Sequence, residues 1–174
     1  RVQREIPTAK DVASDIVLCL DVSDGRVVWR KEYPGVATQW GSSSTPFVSS
    51  GRVYVAGHNT VYCLDAEKGD EAWKISVPGR EISSSPLVVD GVVAILAGQL
   101  MGISAEDGKI LWTQKAITGN NPSPSQWESG GKTRLICNSN GGVFCVDPKT
   151  GEVAWKAPGG GNCTVAISGD TMVL

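Results

Sequence analysis

Cys145-Val-Asp-Pro-Lys-Thr-Gly-Glu-Val-Ala-Trp155 decides the fold, because its order of small residue, Asp, Gly and Trp returns through the chain. Asp21, Asp65, Ser104 and Asp147 are each followed four residues later by Gly25, Gly69, Gly108 and Gly151, and four after that by Trp29, Trp73, Trp112 and Trp155. Successive Trp residues are 44, 39 and 43 apart. One Asp-x-x-x-Gly is a weak turn signal, but copies in register, each preceded by an apolar run and followed by an alternating one, make a repeat. The Asp carboxylate can accept from backbone N–H groups two and three residues on, and the Gly supplies the positive φ that closes such a turn. Each copy predicts a β-hairpin, and strand units with a period near 40 predict a β-propeller.

Working outward from the hairpins, the stretch from Trp29 to Trp73 holds a complete unit, with strands expected over 43–48, 52–56, 61–64 and a last one through Trp73. The next unit repeats the plan with 84–89, 92–96, a turn at Ala97-Gly-Gln99, 100–104 and 109–113. Thr45-Pro46 matches Ser85-Pro86, and Gly51 matches Gly91. In the third unit Ser123-Pro124 is separated from Gly131 by Gln126-Trp127-Glu128, which predicts an insertion and a longer turn. The chain then shows 164–167 and 171–174 as two more strands.

Calling the strands of a unit A to D, the sequence supplies C and D of one blade, three whole blades, and A and B of another. The expected organisation is a loop or remnant of an upstream blade over 1–15 and one propeller domain over 16–174. Within it, half blades cover 16–31 and 162–174 and full blades cover about 40–75, 82–114 and 120–157. A four-stranded antiparallel blade cannot bury both faces alone, so the blades must stack radially. The chain does not begin with Met and stops within a strand at Met172-Val-Leu174, so the expectation is an open arc, a piece of a longer protein. A closed four-bladed ring, in which the last A–B pair completes the first C–D pair, is the alternative.

Sixteen basic and eighteen acidic residues in 174, a net charge of −2, support neither a nucleic-acid stripe nor an acidic tail, so no nucleic-acid partner is expected. No apolar run reaches the roughly 18 residues needed for a membrane span, and Arg-Val-Gln-Arg-Glu at the N-terminus lacks the apolar core of a signal peptide. Cys19, Cys63 and Cys145 all stand two residues before the Asp position, in different blades, too far apart to bridge. They read as small buried hydrophobes, while Cys137 and Cys163 have no assigned role. With no Cys-x-x-Cys and a single histidine, His58, no structural zinc site is expected.

The repeat resembles the tryptophan-docking motif of the pyrroloquinoline-quinone-like propellers, with consensus Ala-x-Asp-x-x-Thr-Gly-Lys-x-x-Trp, over residues 16–174. The Ala place holds Cys19, Cys63, Gly102 and Cys145; the Asp place holds Asp21, Asp65, Ser104 and Asp147. The resemblance implies a larger ring of about eight blades. It also implies that each Trp ring is held between the small residue of its own motif and the Gly peptide of the neighbouring blade. Ser104 lacks the acceptor strength of Asp, so the third hairpin should be the least well capped. The family divides into dehydrogenases that bind the quinone with calcium and cofactor-free scaffolds such as the outer-membrane assembly lipoproteins. The dehydrogenases clamp the quinone with an adjacent Cys-Cys pair, a stacking Trp, and Asp, Glu, Asn and Arg side chains near the channel. No two Cys are adjacent here. The expectation is therefore a non-catalytic binding or scaffolding propeller with a protein or peptide partner and no cofactor in this segment. A quinone-dependent alcohol or sugar dehydrogenase carrying calcium is the alternative. The resemblance also implies an extracytoplasmic location, periplasmic or at the cell surface.

Strands alternate in direction, so D-to-A connections and B-to-C turns must emerge on one face, and A-to-B and C-to-D turns on the other. The first face collects Gln39, Trp40, His58, Asn59, Arg80, Gln99, Asn120, Asn138 and Asn140. Amides with an off-motif aromatic suit recognition through hydrogen bonds, although Asn, Ser and Gly are also what any turn prefers. Trp40 stands outside the repeat and is the residue expected to mark recognition. His58 has no Ser, Cys or Asp at a spacing that suggests a nucleophile and its base, and no carboxylate pair stands out. The serines 42–44 and 83–85 open A strands, where small polar residues fit whether or not anything binds. Gly159-Gly-Gly161 reads as a linker, with no Gly-Lys-Ser/Thr of a phosphate loop after it.

Overall fold

Four hairpins close alike, which sets the frame of the structure, a computed structural model that describes residues 14–34, 43–78 and 82–174. In each, the Gly N–H donates to the carbonyl of the Asp-place residue at 2.7 to 2.9 Å, with the Gly at φ 73 to 76°. The Asp65 carboxylate accepts from Glu67 N and Lys68 N at 2.9 and 2.8 Å, and that of Asp147 from Lys149 N and Thr150 N at 3.0 and 3.2 Å. Ser104 accepts one such bond, from Asp107 N, at 3.3 Å. The third turn is braced instead by Asp107, whose carboxyl Lys109 holds down to about 2.

These hairpins build antiparallel sheets, and no helix occurs among the described residues. β1 (Ser14–Leu20) pairs with β2 (Val27–Pro34). β3 (Phe47–Ser49), β4 (Arg52–Gly57), β5 (Thr60–Asp65) and β6 (Glu71–Ser76) form a four-stranded blade in chain order. β7 (Leu87–Val89), β8 (Val92–Ser104) and β9 (Ile110–Gly119) form the next. β10 (Ser125–Ser129), β11 (Lys132–Ser139), β12 (Gly142–Val146) and β13 (Val153–Ala157) form another, and β14 (Ala166–Ser168) pairs with β15 (Thr171–Val173). The β1–β2 and β14–β15 sheets are separate, so the chain is an open arc and not a closed four-bladed ring.

Three strand expectations change. The A strands begin at Phe47 and Leu87 rather than at 43 and 84. Pro46 and Pro86 have no N–H to give a ladder, and the N–H groups of Thr45 and Ser85 donate to hydroxyls of the following blade. The turn expected at Ala97-Gly-Gln99 lies inside β8: residues 92–94 pair with β7, residues 98–103 pair with β9, and Gly98, at φ 77°, stands where the partner changes. The supposed insertion Gln126-Trp127-Glu128 is strand β10 itself, and the turn is only Gly130-Gly131. That turn, like Ser50-Gly51 and Asp90-Gly91, has positive φ at both central residues, the geometry whose twist suits a two-residue hairpin.

A bulge recurs just before each turn, between Cys19 and Leu20, Cys63 and Leu64, Gly102 and Ile103, and Cys145 and Val146. It leaves the small residue directly across from the Trp: Cys19 faces Trp29, Cys63 faces Trp73, Gly102 faces Trp112 and Cys145 faces Trp155. The other side of the ring meets the next blade. A Cβ on Gly69 would lie 2.7 Å from Trp29, one on Gly108 2.8 Å from Trp73, and one on Gly151 2.6 Å from Trp112. The same three indoles donate to Ala66 O, Ala105 O and Pro148 O at 2.9, 3.1 and 2.9 Å.

The hydrophobic cores accordingly lie between sheets. Val61, Cys63 and Trp73 pack with Val93, Ile95 and Ile103 of the next blade, and Leu96, Leu100 and Ile117 with Leu135, Phe144 and Val146 of the one after. The thiols of Cys63 and Cys145 are buried and free, Cys19 is half-buried, and no disulfide joins them. The arc's two ends differ. Trp29 has its Gly and its acceptor, whereas Trp155 has neither among the described residues and Gly25 has nothing within 4 Å of its Cβ position.

Candidate recognition face

The face of D-to-A connections and B-to-C turns is assembled by backbone bonds within and between blades. His58 sits in the β4–β5 turn at φ 40° and its carbonyl accepts Ile82 N at 2.6 Å; that of Asn59 accepts Val77 N at 2.8 Å. Asn120, just past β9, accepts Ser83 N and Ser84 N on its carbonyl at 3.0 and 2.8 Å and Gly98 N on Oδ1 at 2.7 Å. Asn140 N reaches Thr118 O at 3.2 Å. Gln99 lies half-buried in β8, opposite Thr118.

The residues grouped on this face from sequence therefore divide. Asn120 and Asn138 spend their amides on the scaffold: Asn138 is fully buried and its Nδ2 donates to Cys163 O at 3.0 Å. The Asn138 Nδ2 also lies 3.4 Å from Cys163 Sγ, which gives Cys163, exposed, a place against the last sheet. Asn138 Oδ1 and the Nδ1 of His58 are buried without a hydrogen-bond partner among the described residues. Asn140 is exposed, with no side-chain hydrogen bond among the described residues. Gln39, Trp40 and Arg80 lie outside the described residues.

Sequence reasoning placed hydroxyls at the start of the A strands but missed the bonds they make. Thr45 N donates to Ser85 Oγ at 2.8 Å, Ser85 N to Ser123 Oγ at 2.8 Å, and Ser123 N to Thr164 Oγ1 at 3.0 Å. Each bond crosses from one blade to the next, and the signal for it was a hydroxyl recurring at intervals of 40, 38 and 41 residues, three times before Pro and once before Val. Trp127 was also misread: from β10 its indole donates to Gly169 O in the β14–β15 turn at 3.1 Å, so it is a blade-to-blade tie. Cys137 faces the opposite way, into the core beside Phe144, where burial pushes its thiol up to about 12.

A repeat with Trp, small residue and Gly in these positions can be compared with known families. The family profile described as "Outer membrane protein assembly factor BamB" matches residues 13–170. The chain belongs to this family. Within it, the chain is 31% identical over 155 residues to the outer membrane protein assembly factor BamB of Moranella endobia, covering 81% of this chain and 39% of that protein. The crystal structure of BamB from Moraxella catarrhalis matches with a TM-score of 0.67 at 20% identity, over 90% of this chain and 51% of that one, a likeness of fold. The chain is also 27% identical over 150 residues to the quinoprotein ethanol dehydrogenase of Pseudomonas putida, covering 71% of this chain and 24% of that enzyme. It thus spans about two fifths of the length of its BamB relatives.

Proposed function

We propose that this BamB-family chain is a non-catalytic, protein-binding propeller segment that serves outer-membrane protein assembly from an extracytoplasmic position. The observation that supports it most is that each repeated polar side chain already has a structural task. The Asp carboxylates cap their own turns, the indoles bind backbone carbonyls of the next blade, and the A-strand hydroxyls tie blade to blade. What is left over is an amide-rich turn face of weak charge, suited to extended peptide segments held by hydrogen bonds rather than to steering by charge.

Among the described residues nothing reproduces the adjacent-Cys clamp of the quinone dehydrogenases. Cys137 points into the core and Cys163 toward Asn138, so the two off-motif thiols do not form a clamp. Trp29, Trp73 and Trp112 are each wedged against a Gly of the following blade, and no indole among them is free to stack on a ring cofactor.

The test uses extended peptides with the alternating apolar pattern of outer-membrane strands, fluorescently labelled and titrated with the chain. Gln39→Ala and Trp40→Ala are expected to weaken saturable binding at least tenfold with an unchanged thermal midpoint. Undiminished binding by both variants would remove the turn face from the proposal. Alcohol-dependent dye reduction on adding the quinone and calcium would replace the scaffold reading with the dehydrogenase one.

A further inference from the structure

On the face opposite the recognition turns, where the A-to-B and C-to-D turns emerge, an Arg is set beside the motif Asp in two blades with different outcomes. In the β10–β13 blade Arg134 Nη1 donates to Asp147 Oδ2 at 2.8 Å, so that guanidinium is spent. In the β3–β6 blade Arg52 stands opposite Asp65 in the ladder, yet among the described residues no ion pair engages it, and its Nη1 lies 3.7 Å from Cys63 Sγ. Burial raises that thiol above its ordinary value of 9.0, so at neutral pH it carries no charge to offset the guanidinium. Arg52, half-buried, lines a cleft of about 570 Å³ between the β3–β6 and β7–β9 blades, with Ser50 and Tyr54 on its own side and Val88, Ser104 and Glu106 on the other. The cleft lies between two whole blades, away from both ends of the chain. Its walls are held by bonds between the blades: Tyr54 Oη and Trp73 Nε1 both donate to Ala105 O, at 3.3 and 3.1 Å. The corresponding space between the β7–β9 and β10–β13 blades is bridged by Lys149 Nζ and Asp90 Oδ2, 3.7 Å apart. Counted from the Asp place and from the turn Gly, the same two positions here are Glu106 and Ser50, which cannot form that bridge.

A guanidinium with donors to spare, in a cleft that its neighbours leave open, is a place for an anion. We propose that this cleft is a carboxylate site, in which Arg52 takes the carboxylate of a peptide through paired N–H···O bonds. The planar guanidinium presents two parallel N–H groups to a carboxylate, and such a charge-assisted pair is stronger than a neutral hydrogen bond. Ser104 Oγ accepts Asp107 N at 3.3 Å and keeps its own proton to donate, as does the hydroxyl of Ser50. The exposed carboxylates of Glu106 and Asp90 at the rim set the charge of the ligand. A single negative charge is balanced by Arg52, whereas a phosphate dianion would carry a second charge toward two carboxylates. Glu106 can also accept a backbone N–H, which favours a peptide over a free organic acid. The site is separate from the turn face that carries Gln39 and Trp40 in the proposed function, and either can hold without the other.

The experiment is a nuclear magnetic resonance titration of the isotopically labelled 174-residue chain, read at the Arg52 Nε–H and at the backbone N–H groups of Ser50 and Glu106. The probes are acetyl-Ala-Glu-Ala-amide, acetyl-Ala-Ala-Ala with a free terminal carboxylate, the neutral acetyl-Ala-Gln-Ala-amide, and inorganic phosphate. Saturable shifts confined to the cleft are expected with the first or the second probe, and the tighter of the two tells whether an acidic side chain or a chain terminus is the source. The neutral peptide should bind about tenfold more weakly. Arg52→Gln should abolish the preference for charged probes and Arg52→Lys should keep part of it, while Arg134→Gln, whose guanidinium is already held by Asp147, should leave it unchanged. Glu106→Gln should tighten carboxylate binding about threefold by removing a like charge. Equal binding of charged and neutral peptides, shifts spread over the other Lys and Arg residues, phosphate bound more tightly than either carboxylate probe, or undiminished affinity in Arg52→Gln overturns the proposal.

Discussion

Trp73→Ala tests whether the blades are held by docked indoles, because Trp73 has the complete set of contacts and Trp155 lacks half of it. Trp73 is 9% exposed, faces Cys63 across the bulge, lies within contact of Gly108, and donates to Ala105 O at 3.1 Å. Removing a buried indole costs about 3 to 5 kcal/mol through lost transfer energy and the cavity left behind. Losing the hydrogen bond adds little, since Ala105 O still accepts Tyr54 Oη at 3.3 Å and is not stranded. Trp155, half-buried and without a Gly or an acceptor among the described residues, should cost about 1 to 2 kcal/mol. Urea unfolding followed by far-ultraviolet circular dichroism gives both values from the shift of the midpoint at constant slope. Equal costs for the two Trp residues, or a loss below about 1 kcal/mol for Trp73→Ala, would refute the docking account.

Gly102→Ala restores the residue most common at that place in the motif, yet it should destabilise by about 1 to 3 kcal/mol, because its Cβ would lie 2.2 Å from the Trp112 ring; a neutral result would mean the ring can retreat. Ser123→Ala removes the acceptor of Ser85 N and should cost about 1 to 2 kcal/mol in the same urea assay, with Ser123→Thr recovering most of it. Burial raises the thiols of Cys137, Cys63 and Cys145 above their ordinary value of 9.0. Below about 9 they are protonated folded or unfolded; as pH rises toward 12 the unfolded chain ionises first, so unfolding free energy should fall across that range. A flat urea midpoint from pH about 8 to about 10.5 would contradict this. Ellman's reagent should modify exposed Cys163 first and Cys137 only on unfolding.

The hairpins were legible because the motif acts locally: an Asp that caps its own turn and a Gly that needs positive φ leave a fixed spacing whatever surrounds them. The Trp partners were legible only through the family resemblance, since the Gly that each ring meets lies in the next repeat. The bulge was hidden, because one extra residue per strand leaves the apolar alternation around Trp73 unchanged in kind. The A-strand limits were missed for a related reason. Thr45 and Ser85 sit in sequences with strand propensity, and what stops the ladder there is where their N–H groups go, to a hydroxyl about forty residues away. Trp127 went astray because its motif-free position in the third unit made a strand look like an insertion, and only its bond to Gly169 O shows the tie it makes.

The recognition face resists sequence reading on physical grounds that follow from the same bonds. His58 and Asn59 hold their turn in place through backbone carbonyls, which any residue provides, so the side chains there are free to vary without loosening the arc. A repeat can therefore advertise its fold at Asp, Gly and Trp and remain silent about its ligand. Asn120, whose Oδ1 accepts Gly98 N, and Asn138 are the exceptions; the Asn138 side chain is buried and bonded to Cys163 O. Substitution of Asn138 by Ala should lower stability rather than binding, whereas Asn140→Ala, exposed and bonded through its N–H, should leave stability alone and report on peptide binding. If Asn138→Ala keeps its urea midpoint and loses peptide affinity, the division between scaffold and recognition residues drawn from these hydrogen bonds is wrong.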